Sequence, residues 1–366
     1  MKTKIKNTLK DKDFLEIIKG SGISFFLRFG GLAVGYLLTL VIAHLFGAKG
    51  LGDYVLAITV LRLFTLLAKL GLDTTSIRFI ASFASQDKWT SIFRFRKQVV
   101  SILSLSSIVS SLLMYCFAEP IADLINANYK YIQLNAFLVL PMSFFMLHYQ
   151  SLRGLKRIAE FSFFYRMSQS LFSIIFILII YQFFTTSDVP VYAYFLSVLI
   201  VSLLSFFAFI YWLNKRSEGK ESAELKIRSY KKLLKISIPL MFAQSVQFIM
   251  AWTDKLMLGN MTTPEDVGIY HTAFKLSMFA SIALMSINSI ASPKFAEMYA
   301  ENNMKGLKKV VHQSTKIIFW TSVPLVSVFF VFPEFLLGIF GEEFKVGVTA
   351  FIFLSCGRLI SSFSGS

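Results

Sequence analysis

Ten apolar stretches, each near the length of one bilayer crossing and divided by short polar turns, limit this chain to a bundle of membrane-spanning helices. A crossing takes about 20 apolar residues. The stretches are 22–46, 53–73, 98–118, 132–150, 161–184, 190–213, 233–258, 268–291, 313–332 and a last one from about 347. Composition agrees: 55% of the 366 residues are hydrophobic, 40 are Phe and only 16% are charged. That excludes an ordinary soluble domain and suspends the usual link between length and domain count. The expected fold class is all-α, a polytopic membrane protein of about ten transmembrane helices in two pseudo-repeated bundles, six plus an incomplete second. Pro141 and Pro324 fall inside spans and are expected to kink them.

The turns are sorted by charge. With the N-terminus cytoplasmic, the inside segments 1–20, 75–97, 151–166, 214–235 and 294–316 hold 6, 5, 4, 8 and 5 Lys/Arg, a total of 28 of the 37 in the chain. The outside turns hold three, Lys49, Lys130 and Lys345, alongside carboxylates such as Asp53, Glu119, Asp188, Glu265, Glu342 and Glu343. That asymmetry fixes orientation by the positive-inside rule, and an error of one span scrambles it. It also explains the net charge of +16 without nucleic acid, because the cations sit in short loops beside lipid headgroups. The first apolar run follows a basic segment but is too long for a signal peptide, so it is expected to be retained.

By this reading residues 1–21 are a cytoplasmic interfacial segment and 22–213 an N-lobe of six helices. Residues 214–232 are a polar cytoplasmic linker, and 233–366 an incomplete C-lobe of about four helices. A repeat links the lobes. Gly52-Asp53-Tyr54 matches Gly268-Ile269-Tyr270, and each opens a helix running one span toward an inside loop. A parallel repeat of this kind builds transporters around a midplane site.

Charges inside spans are costly, about 2.5–3.5 kcal/mol each on the insertion scale, and point to function by default. The set is Arg28, Arg62, Lys69, Lys255, Lys275 and Arg358 against Asp73 and Asp254. Arg62 lies about 13 Å into its helix at 1.5 Å per residue, near the midplane, with Thr65 and Lys69 on the same face. Lys69 has Asp73 at i+4, and a local ion pair is an equal alternative. Arg28 either reaches the cytoplasmic headgroups or shares its face with Gly31 and Gly35, which open either a tight helix contact or space beside it. Lys275 has His271 one turn before it, and Gln244, Gln247 and Asp254 share a face of the preceding helix. Asp254 and Lys275 form either an ion pair or part of a polar stripe. Lys255 is expected to face away from Asp254 and reach outward, and Arg358 lies in the last, incomplete span. Six cations against two carboxylates suit an anionic ligand such as a lipid phosphate, where a cation-coupled exporter needs carboxylates. Candidate substrate-binding residues are therefore Arg28, Arg62, Lys69, Asp254, Lys275, His271, Gln244 and Gln247.

Other chemistries lack their residues. His44, His148, His271 and His312 are scattered, without metal-ligand spacing. Cys116 and Cys356 lie in apolar runs. There is no phosphate-binding loop or nucleophile elbow. No outer loop exceeds about fifteen residues, which leaves a membrane glycosyltransferase or polymerase without room for its site. No enzyme activity, metal or cofactor is expected, though ion coupling by an unidentified ion stays open.

The run DKLMLG, an acidic spacer and VGIYHTAFKL (254–276) resembles polysaccharide-export flippases of the multidrug/oligosaccharidyl-lipid/polysaccharide (MOP) superfamily. So do FGAKGLGDY with LGLDTTSIRFIA (46–81) and LRGLKR (152–157). The resemblance implies two six-helix bundles with alternating access. It implies as cargo an undecaprenyl-pyrophosphate-linked oligosaccharide, an O-antigen or capsule repeat unit, moved to the outer leaflet of a bacterial inner membrane. Arg28, Arg62 and Lys275 become candidate pyrophosphate contacts, and a polysaccharide polymerase and chain-length regulator candidate partners. Such proteins have twelve or more spans, so a chain stopping in its tenth is expected to be a truncated form. A cation-coupled multidrug exporter of the same superfamily is the alternative, a membrane glycosyltransferase or polymerase a rival of a different class, and a structural membrane scaffold a further one.

Overall fold

The computed structural model describes residues 12–218 and 230–364, and what is expected of 1–11 and most of the linker lies outside them. Everything regular among the described residues is helical. In chain order the helices are α1 (Lys12–Lys69), α2 (Leu72–Ala84), α3 (Trp89–Cys116), α4 (Ala118–Leu124), α5 (Tyr129–Ala136), α6 (Val139–Gly154), α7 (Ile158–Phe163) and α8 (Gln169–Tyr181). There follow α9 (Val189–Ser217), α10 (Tyr230–Met261), α11 (Pro264–Ser277), α12 (Ser281–Ala300), α13 (Met304–Val331), α14 (Pro333–Gly338) and α15 (Val348–Ser364).

Seven helices among the described residues are long and apolar enough to cross a membrane, or eight when the bent pair α5–α6 is one span. Ten were expected, and the difference lies in broken helices. The apolar part of α1, Phe29–Lys69, is 41 residues, about 60 Å at 1.5 Å per residue and twice a crossing. It breaks at Gly47, whose φ of 70° and ψ of −175° leave the helical region, so α1 holds both of the first two expected spans. The expected span 268–291 is divided between α11 and α12 by a 3-10 turn at Met278–Ala280.

The prolines behave differently from one another. A bend of 54° separates α5 from α6, just before the first turn of α6, where Pro141 sits and needs no helical N–H partner. The Pro141 carbonyl accepts from Ser202 Oγ at 2.9 Å. α13 continues without a break through Pro324.

By packing, the chain forms two compact units. The first is Met1–Val41 with Asp53–Thr263; the second is Ile42–Gly52 with Pro264–Ser366. The units follow contacts, not chain order, so α10 groups with the first and the turn of α1 around Gly47 with the second. α10 is held near both ends. Gly71, with φ of 72°, brings its backbone so close that a Cβ there would lie 2.2 Å from the Ser237 carbonyl. Near the other end, Asn126 Nδ2 donates to the carbonyls of Gly259 (3.0 Å) and Thr262 (3.1 Å).

The first unit is packed as lipid requires, with small polar residues inside and large apolar ones outside. Ser91, Ser107, Ser143, Ser162, Ser197 and Ser205 are fully buried, while Leu105, Leu112, Leu203 and Phe207 are exposed. Serine hydroxyls bridge helices: Ser106 donates to the Ala68 carbonyl at 2.6 Å, Ser110 to Phe64 at 2.8 Å and Ser197 to Gln169 at 2.9 Å. Small side chains let membrane helices approach, and the hydroxyls take up carbonyls that lipid cannot satisfy.

In the second unit the two repeat glycines meet. A Cβ on Gly52 would lie 1.6 Å from the Pro264 carbonyl oxygen, and one on Gly268 2.1 Å from that of Ala48. The Gly-x-Tyr match is therefore a contact as well as a repeat. The same turn is fixed by Glu343, which accepts from the Ala48 amide at 2.6 Å, and by His44, hydrogen-bonded to the Ile339 carbonyl at 2.8 Å.

Candidate functional site

In the first unit the second half of α1 carries Tyr54, Arg62 and Lys69 toward α2, α6, α9 and α10. Arg62 lies over the Trp252 ring of α10, 5.0 Å from its centroid. Trp252 also stacks on Phe248, with centroids 6.2 Å apart, and receives Lys255 at 5.3 Å on its ring. The Arg62 charge acts on three tyrosines, Tyr54, Tyr149 and Tyr194, the last two buried. Tyr54 and Tyr194 meet edge to face at 5.7 Å. Arg62 Nε is buried with no hydrogen-bond partner, as are Oε1 of Gln150 and Oε1 of Gln244.

The lysines are engaged. Lys69 Nζ lies 2.7 Å from Asp73, with both residues almost fully buried (8% and 2% exposed). Gln244 Nε2 completes this group by donating to Asp73 at 3.2 Å and Thr74 at 2.5 Å. Lys255 is 2% exposed and lies 3.0 Å from Asp254. It was expected to reach outward because a one-residue offset places two Cβ atoms 100° apart on a helix. Its long side chain instead folds back along α10, where Nζ also donates to the Ala251 carbonyl at 3.1 Å.

The remaining candidates fall as follows. Gln247 is exposed. The Arg28 side chain lies outside the described residues, but Gly31 on its helix makes a tight contact: a Cβ there would lie 2.7 Å from Arg166 Cβ. In the second unit, His271 and Lys275 are partly exposed residues of α11. Each lysine next to a carboxylate is thus neutralised locally. Arg62 and Arg358 remain in spans without a carboxylate at ion-pair distance among the described residues.

Sequence reasoning missed three parts of this arrangement. Trp252 carries no charge, yet Gln244, Phe248 and Trp252 recur every four residues along one face of α10. The three tyrosines come from three separate helices, and no local spacing marks them. Arg166 was counted in a loop; it sits in a π-helical turn, Phe164–Ser168, within an apolar helix run that extends to Tyr181. Such turns recur at functional sites. Among the described residues no group of three or more His, Cys, Asp or Glu could hold a metal ion.

Comparison with known proteins places the chain. The family model described as "Polysaccharide biosynthesis protein" matches residues 17–299. A curated relative, the probable low-salt glycan biosynthesis flippase Agl15 of Haloferax volcanii, is 23% identical over 116 residues. That alignment spans 31% of this chain and only about a quarter of the relative, 25%. Among solved structures, the lipid II flippase MurJ in its inward closed conformation superposes with a TM-score of 0.63 at 18% identity, over 95% of this chain and 77% of that one. An inward-facing multidrug resistance MATE transporter of the MOP superfamily gives 0.60 at 15%, over 91% and 78%. A MOP-superfamily transporter from Pyrococcus furiosus gives 0.54 at 16%, over 93% and 83%. These likenesses show the fold.

Proposed function

Because this chain belongs to the polysaccharide biosynthesis protein family, we propose that it flips a lipid-linked oligosaccharide across the membrane, with Arg62 as the contact for the lipid diphosphate. The observation that carries this reading is the state of that one residue. Arg62 is a cation near mid-span whose charge no neighbouring carboxylate cancels, and it rests on an aromatic face. An arginine so placed keeps a planar fork of donors for a phosphate, and Trp252 offers a ring against which a sugar can stack. The finer cargo is an undecaprenyl-pyrophosphate-linked O-antigen or capsule repeat unit, moved from the cytoplasmic to the outer leaflet of a bacterial inner membrane by alternating access. A polymerase and a chain-length regulator then act on it.

The rival, cation-coupled drug export, needs a carboxylate that can gain and lose its ion. Both membrane carboxylates of the first unit, Asp73 and Asp254, hold a lysine instead, which supports the flippase reading. The test is complementation of a deletion strain. Wild type should clear lipid-linked intermediate from the inner leaflet, and Arg62→Gln should leave it accumulating at normal protein levels. Clearance by Arg62→Gln at the wild-type rate sinks the proposal. Drug efflux lost in Asp73→Asn or Asp254→Asn, with glycan traffic unchanged, moves the chain to the exporter class.

A further inference from the structure

The second unit contains its own mid-span cation. Arg358 lies ten residues into α15, about 15 Å below its start at 1.5 Å per residue and so near the centre of a bilayer about 30 Å thick. It is partly buried, and its guanidinium sits 5.2 Å from the centroid of Phe274 on α11. No carboxylate lies within ion-pair distance of it among the described residues. Arg358 also lines a cavity of about 360 Å³ with Tyr270, Ala350, Phe353, Leu354 and Gly357. Arg358 and Tyr270 are the two lining residues that carry a polar side-chain group; the other four are Ala, Phe, Leu and Gly. A Cβ on Gly357 would meet no atom within 4 Å, so a side chain there projects into open space. Phe353, 73% exposed, stands at its rim.

Two facts together indicate a ligand. An uncompensated cation at mid-span is retained where it meets a counter-charge or water. An apolar cavity with a few convergent polar groups is the usual form of a small-molecule site. We propose that Arg358 and Tyr270 form a second binding site, confined to the second unit, for a phosphate or diphosphate group whose apolar substituent lies along Phe353 and Leu354. The guanidinium supplies a two-pronged contact and the Tyr270 hydroxyl donates a further hydrogen bond. Phe274 holds the arginine by its ring face without spending its charge. This site is separate from Arg62. It rests on the flippase reading only in taking the ligand to be a lipid phosphate.

The experiment is equilibrium binding of labelled geranylgeranyl diphosphate to the full chain in phosphatidylcholine nanodiscs. It is run in the Arg62→Gln background so that the first-unit contact is silent. Saturable binding is expected there. Arg358→Gln should weaken it about tenfold or more, the loss of one charge-assisted contact. Gly357→Leu should weaken it as much by filling the cavity while leaving every charge in place. Arg358→Lys should retain more affinity than the glutamine variant. Because Gly357 faces open space, its leucine variant should elute as wild type and melt at the same temperature, so its lost binding cannot be read as misfolding. Inorganic pyrophosphate separates the sources. Failure to compete identifies a lipid phosphate, and full competition identifies a free one. Absence of saturable binding in that background, or binding unchanged by both Arg358→Gln and Gly357→Leu, overturns the site. A failed complementation by Arg62→Gln is a separate result, so the two readings fail independently.

Discussion

The first unit contains two ways of keeping a cation inside a membrane. Lys69 and Lys255 sit against Asp73 and Asp254 at 2.7 and 3.0 Å, each carboxylate supplied from nearby in the chain. Arg62 sits on an indole, and in the second unit Arg358 sits on a phenyl ring. A carboxylate cancels the charge it holds. A ring face stabilises a cation through its quadrupole but leaves the net charge and most N–H donors in place. The same cost of insertion is therefore met in two ways, one yielding structure and the other a charge still able to meet an anion.

The largest effect expected from breaking this contrast is at Asp73. Asp73→Ala strands Lys69 almost fully buried and should destabilise the folded protein by about 3–5 kcal/mol, seen as a lower melting temperature in detergent. The double change Lys69→Met with Asp73→Leu should recover most of that loss, because an apolar pair of similar volume replaces the ions. If the double change is as unstable as the single one, the pair has a role beyond neutralisation. Gly52→Ala comes next. Its Cβ meets the Pro264 backbone, which cannot move aside as a side chain can. A loss of about 1–3 kcal/mol is expected, measured by the same melting shift. Arg62→Gln should be milder for stability, about 0.5–2 kcal/mol for one cation–π contact, while its flipping activity falls at least about tenfold. Trp252→Phe keeps a ring under Arg62 and should cost less than Trp252→Ala on both readouts. The smallest effect is at Lys345 and Glu342, 2.6 Å apart on the surface. Removing either should change stability by less than about 1 kcal/mol, less still in high salt.

Much of the fold was legible because the bilayer imposes a length and a charge rule that sequence displays directly. The spans follow from twenty-residue apolar runs, whereas the break of 268–291 at Met278–Ala280 does not. Lys69–Asp73 was legible because i+4 neighbours touch on any helix. Lys255–Asp254 was not, since the flexibility of a lysine stem overrides the angle between adjacent Cβ atoms. The Arg62–Trp252 contact was not legible either. It joins residues 190 positions apart, and only the packing of α10 beside α1 creates it. The repeat glycines were seen as a pattern, but the close approach that requires them depends on where the Ala48 and Pro264 carbonyls lie.

The central claim is that the arginines held by rings serve the cargo and the lysines held by carboxylates serve the fold. It is tested most directly by reconstituting the full chain in liposomes with a fluorescent lipid-diphosphate oligosaccharide and following its appearance in the opposite leaflet. Arg62→Gln should lower the rate at least about tenfold, whereas the Lys69→Met, Asp73→Leu double variant should flip at close to the wild-type rate. A double variant that is inactive while folded, beside an Arg62→Gln protein that flips normally, contradicts the account.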